Sequence, residues 1–179
     1  GDSPRIQLDI SPNIDWLLIE SSGPFLYLNG QTITLLTQDG FTNKCDGVVA
    51  DNGYATISGE ILNNGSILVQ SNGNLNLGGP VINNGLIRVT EDQDLKFTGD
   101  TVVSGSGEIR TNNGKIITSS GATFTNAAGH TIRGQGGFDA ALINEGTIWA
   151  SETDYELDLK NHAKTNNSTA KATNGAYLG

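Results

Sequence analysis

One phrase returns along this chain: Leu62-Asn-Asn-Gly-Ser-Ile67, Ile82-Asn-Asn-Gly-Leu-Ile87 and Ile143-Asn-Glu-Gly-Thr-Ile148. The related Ser106-Gly-Glu-Ile109 and Ala128-Gly-His-Thr-Ile132 stand between the second and third copies. Counted on the closing isoleucine, the steps are 20, 22, 23 and 16 residues. A period near 20 residues is what a solenoid requires, because each repeat is one winding that buries its apolar face only against its neighbours.

Within each repeat the apolar residues divide into three short segments. The first carries the recurring phrase. The second follows about eight residues later, as Leu75 and Leu77, Leu95 and Phe97, and Leu157 and Leu159. Each of these pairs has period-2 spacing, which puts both side chains on one face of a strand. The third is shorter: Val81-Ile82, Val102-Val103, Phe124 and Leu142-Ile143. Three strands per coil describe an all-β, single-stranded parallel β-helix of about 20–22 residues per coil. Asn-Gly at 64–65, 84–85 and 113–114 suits turns that need positive φ. It is also the strongest hairpin signal, so an antiparallel sandwich or barrel is the competing architecture. Hairpins leave the return of the same flanking residues without a cause.

The chain divides into three stretches. Residues 1–50 read as an N-terminal cap followed by irregular first coils. In them Ile6, Leu8 and Ile10 alternate, and Ile14, Trp16, Leu17, Leu18 and Ile19 form a denser run that covers the open first coil. Phe25–Leu28 and Thr32–Leu36 follow as strand-like runs. Residues 51–160 are the solenoid body. Residues 161–179 are small and polar, and read as a tail that is tied down either on its own solenoid or on a neighbouring subunit.

Composition narrows function further. Net charge is −9, and nucleic acid is a poor partner for such a chain because phosphate binding needs clustered Lys and Arg. No apolar run reaches transmembrane length, so direct membrane insertion is not expected. The absence of methionine, even at position 1, fits a processed or excised chain, and export followed by cleavage is the reading adopted. Cys45 is the lone cysteine, which rules out an internal disulfide and thiolate metal clusters. It reads as a small buried apolar residue, and pairing between chains stays open.

Three candidate sites emerge. Arg88, Arg110 and Arg133 each follow a repeat isoleucine, and Trp149 holds the equivalent place after Ile148. Stacked coils turn these into one outward row, a candidate polysaccharide contact, since guanidinium and indole planes suit sugar hydroxyls and rings. Glu152 to Asp158 carries four carboxylates. With Asn72, Asp92 and Asp154 in one row, Asn74, Asp94 and Glu156 in the next, and Asn76, Lys96 and Asp158 in a third, the ridge at Asp154, Glu156 and Asp158 could hold Ca²⁺ through oxygen ligands. No cofactor is needed for folding. Self-assembly contacts are assigned to Ile6, Leu8 and Ile10 at one end and Ala170, Ala172, Ala176, Tyr177 and Leu178 at the other.

Asn63, Asn83 and Asn144, at equal distances before their isoleucines, read as a structural ladder in which amides satisfy one another. The two histidines, His130 and His162, belong to no nucleophile or zinc motif, and His130 reads as structural or surface. A lyase or hydrolase using Asp92 or Asp94 is the weakest reading.

Gly59-Glu-Ile-Leu-Asn-Asn-Gly-Ser-Ile67, Phe124-Thr-Asn-Ala-Ala-Gly-His-Thr-Ile-Arg-Gly-Gln-Gly136 and Leu142-Ile-Asn-Glu-Gly-Thr-Ile-Trp-Ala150 resemble the repeats of large bacterial surface proteins, the autotransporter passenger and filamentous-haemagglutinin type of adhesin. The resemblance covers about residues 55–160. It implies a right-handed parallel β-helix, an extracellular or cell-surface location, and a role in adhesion, matrix or stalk building, with no catalytic residues. The chain is short for such an adhesin and residues 1–50 do not match, which favours a fragment or a small subunit that polymerises. The expected function is therefore a non-enzymatic structural or adhesive solenoid, with itself or a surface polysaccharide as partner.

Overall fold

The structure is a computed structural model, described over residues 5–20, 25–35, 40–44 and 46–179. Cys45 and Leu36 lie outside the described residues, as do parts of the expected N-terminal cap. The fold is a β-solenoid of about 8 turns with about 21 residues per coil, and the described residues contain no helix. Every strand pair is parallel, joining residues one winding apart, which excludes the antiparallel sandwich.

Each coil has three faces. The first is the stack Arg5–Gln7, Phe25–Tyr27, Asp46–Ala50, Ser66–Val69, Leu86–Val89, Glu108–Thr118, Thr131–Asp139, Thr147–Ala150 and Thr169–Ala172. The third is an independent sheet of eight strands, from Leu17–Ile19 to Lys164–Asn166. The second runs between them, from Asn13–Ile14 to Tyr177–Leu178. Glu108–Thr118 and Thr131–Asp139 pass round the first corner without a break, so the first and second faces merge there into one sheet.

The repeat isoleucines form one buried column, with pairs Ile67 to Ile87, Ile87 to Ile109, Ile109 to Ile132 and Ile132 to Ile148. Burying each such side chain is worth roughly 1.5–3 kcal/mol, so the column is the spine of the core. The core also holds Phe97, Phe124 and Phe138, which meet edge to face at 4.9 and 5.3 Å between ring centres, a preferred aromatic geometry.

The corners have distinct solutions. Between the first and second faces nearly every coil places an Asn or Asp in the left-handed region: Asn29, Asn52, Asn72, Asp92, Asn113, Asp154 and Asn174, with φ between 48° and 62°. Short polar side chains tolerate this conformation better than others. At the opposite corner the Asn-Gly pairs at 64–65 and 84–85 do not have positive φ, contrary to expectation. Glycine is needed there because a Cβ on Gly85 would collide with the Gly65 carbonyl oxygen, and one on Gly107 with that of Gly85. Successive backbones touch at this edge.

Residues 5–20 take the form of a coil on the same three-face plan, with Arg5–Gln7, Asn13–Ile14 and Leu17–Ile19 paired to the following winding. Residues 164–178 form the last coil, so the polar terminus is tied to its own solenoid.

Candidate functional site

The outward row on the first face exists as the repeat spacing requires. Leu68, Arg88, Arg110, Arg133, Trp149 and Lys171 are successive register partners. Its charges are largely engaged within the molecule. Arg133 makes two hydrogen bonds to Glu108, at 2.6 and 3.0 Å, and Arg110 donates to Glu152 at 3.0 Å. The bond to Glu108 holds the Arg133 guanidinium above its ordinary pKa. The indole of Trp149 lies between two cations, with the Arg133 guanidinium carbon 5.7 Å and the Lys171 ammonium 4.4 Å from the ring centre. Its Nε1 donates to Thr173 Oγ1 at 2.8 Å. Arg88 is exposed.

The acidic ridge differs from the expected one. Only Glu156–Asp158 is strand, and Glu152 and Asp154 lie in the corner before it. Because residues 151–155 lengthen that corner, Leu157 pairs with Gly136 and Asp158 with Gly137. Asp158 therefore falls in the row of Asp94 and Lys115 instead of beside Lys96. Lys160 pairs with Glu156 at 3.0 Å and with Asp158 at 3.9 Å, and this contact raises the lysine's pKa. Among the described residues no group of three or more His, Cys, Asp or Glu is arranged to hold a metal ion.

The most organised chemistry lies inside. Asn43 Nδ2 donates to Asn63 Oδ1 at 2.8 Å, and Asn63 Nδ2 to Asn83 Oδ1 at 2.8 Å. Asn83 Nδ2 then lies 3.0 Å from His130 Nε2, and His130 Nδ1 lies 2.7 Å from Asn126 Oδ1. Asn126 donates to Asn144 and Asn144 to Asn166, each at 2.7 Å. The amides also donate to backbone carbonyls of the winding that follows, such as Leu86 and Glu108. Every amide thus points its NH₂ the same way along the axis.

His130 completes this series where the sequence breaks it. Ile82 pairs with Ser104, so the position after Asn83 in its column is Gly105, which offers no amide. The imidazole of His130, fully buried, spans that rung. It accepts from Asn83 and donates to Asn126, which requires the neutral ring with its proton on Nδ1. Burial lowers its pKa from 6.5 to about 4, against a smaller upward pull from Glu108. Repeat spacing marks Asn63, Asn83 and Asn144, but the part played by His130 has no repeat to reveal it. At the head of the series, Asn43 Oδ1 meets no donor among the described residues.

The two ends differ. The first coil surrounds an open apolar cavity of about 370 Å³, lined by Ile6, Leu8, Ile14, Leu17, Ile19 and Leu26 among others. Ile6 and Ile10 are exposed. The last coil presents Ala170 and Ala172, both exposed, with Ala176 and Leu178 partly packed on the core and Tyr177 turned outward.

Comparison with known proteins yields no matching family model, curated protein or solved structure.

Proposed function

We propose that this chain is a non-enzymatic structural solenoid of the extracellular or cell-surface kind, which self-associates into extended assemblies. The observation that carries the reading is the contrast between flanks and ends. Along the flanks, Arg110 and Arg133 engage carboxylates of other windings, Lys160 engages Glu156 within its own, and the inner amides engage one another. At the first coil, large aliphatic side chains surround an open apolar cavity, and among the described residues the end strands have one edge without a partner. Such a surface stabilises association more readily than it supports chemistry on a small substrate. Sedimentation and electron microscopy of the purified chain across concentrations test the reading. Elongated species that grow with concentration support it, and a monodisperse monomer at high concentration overturns it.

A second reading, a polysaccharide contact along the first face, is favoured by the stacked row Arg88, Arg110, Arg133 and Trp149. Against it stand the two ion pairs and the indole already covered on both sides. Glycan binding lost in an Arg110→Ala, Arg133→Ala double variant supports this reading, and binding unaffected by that change removes it.

A further inference from the structure

Resting on the self-association reading, we infer that the partner at the first coil is the last coil of a second copy, stacked head to tail so that the first face continues across the junction.

Three observations converge. The first is shape. The inward column of the first face runs Ile6, Leu26, Val48, Ile67, Ile87, Ile109, Ile132, Ile148, Ala170. It begins on a large residue beside an open cavity and ends on an alanine. The neighbouring column ends Ala150, Ala172, while Leu8 lines the cavity. Continuing the register sets Ala170 against Ile6 and Ala172 against Leu8 of the next copy, small against large.

The second is strand polarity. All strand pairs in the solenoid are parallel, and a parallel stack repeats only if the trailing edge of one copy meets the leading edge of the next. Contact between two first coils, or between two last coils, would bring the strands together by a two-fold operation and break the parallel ladder. Head-to-tail contact is also the arrangement that propagates without closing.

The third is charge. Residues 1–20 hold Asp2, Asp9, Asp15 and Glu20 against Arg5, a net −3. Residues 159–179 hold Lys160, Lys164 and Lys171 with no Asp or Glu, a net +3 in a chain of net −9. Lys160 is engaged by Glu156 and Asp158, and Glu20 by Lys44. Lys164 bends over the end of the core to carbonyl oxygens of Ala140 and Asn161, and Lys171 covers Trp149. Opposite signs favour unlike ends and oppose like ends.

The outward row places Gln7 and Lys171 as neighbours across the junction, since Gln7 pairs with Tyr27 and Lys171 with Trp149 in the same row. Both are exposed. The test uses the full chain in a Cys45→Ser background, with Gln7→Cys and Lys171→Cys made as separate variants and joined by oxidation or a short bismaleimide. The expected result is a cross-linked dimer on mixing the two variants, with each variant alone giving less than a tenth as much. Cross-linking within either variant alone overturns the polarity. Association seen by sedimentation without a link between the mixed variants also overturns it, leaving the self-association reading in place. A chain that stays monomeric overturns both.

Discussion

Nε2 of His130 lies 3.0 Å from Nδ2 of Asn83, although 47 residues separate them in the chain. That single contact joins two runs of stacked asparagines, Asn43, Asn63 and Asn83 on one side and Asn126, Asn144 and Asn166 on the other. The first consequence concerns pH. A folded-state pKa lowered from 6.5 to about 4 means that the fold holds the imidazole neutral. Stability is therefore full above about pH 6.5 and falls as pH drops toward 4, because only the unfolded chain takes up the proton in that window. The loss is roughly 3 kcal/mol by pH 4. Denaturant unfolding at pH 7, 5.5 and 4 measures it, and a His130→Gln variant, which keeps an amide acceptor and donor, loses this slope. Equal slopes in the two proteins would sink the assignment.

Asn144 lies in the interior of the same series, accepting from Asn126 and donating to Asn166 and the Thr169 carbonyl. Asn144→Ala removes the shortest of the hydrogen bonds that the Asn126 amide donates and the donor to Asn166 in a buried site, and we expect a loss of about 2–4 kcal/mol. Asn64→Ala, at the exposed outer position of the same corner, should cost less than about 1 kcal/mol. Chemical denaturation of both variants decides whether burial, and not asparagine as such, sets the effect.

Gly85 and Gly99 make a paired test of close approach. A Cβ on Gly85 meets the Gly65 carbonyl, whereas a Cβ at Gly99 meets nothing within 4 Å. Gly85→Ala should therefore destabilise by more than about 3 kcal/mol, while Gly99→Ala is neutral or stabilising by up to about 1 kcal/mol. Thermal unfolding of the two variants would reject this account if they behaved alike.

Phe124 touches two other rings within the core. Replacing it with alanine should cost about 3–5 kcal/mol, and Phe124→Leu roughly half as much or less. Unfolding midpoints read by far-ultraviolet circular dichroism check the order.

The coil plan was legible because each winding must present an isoleucine at the same place, and identical demands leave identical letters. The amide run was legible in part for the same reason. His130 was hidden because it substitutes for a missing asparagine from a non-equivalent position, four residues after Asn126, and through a different chemical group. The last acidic row was misplaced because a longer corner at residues 151–155 moves Leu157 and Asp158 along the ladder, and corner length leaves no mark on the hydrophobic pattern. The Asn-Gly pair at 113–114 has the expected positive φ at Asn113, but those at 64–65 and 84–85 have another cause, since a contact between windings looks the same in sequence as a turn that needs positive φ. The outward row was placed correctly, yet its internal ion pairs depend on Glu108 and Glu152, whose proximity only the folded coils create.

The bridging imidazole also bears on how such a molecule can change length over generations. Windings closing on Asn63 or Asn83 each bring one amide and 20 residues, so duplicating or deleting one leaves the series unbroken. The winding that carries Gly105 is different, for it borrows its missing group from its successor. Those two windings are heritable only as a pair, and gain or loss of either alone would strand Asn83 or Asn126.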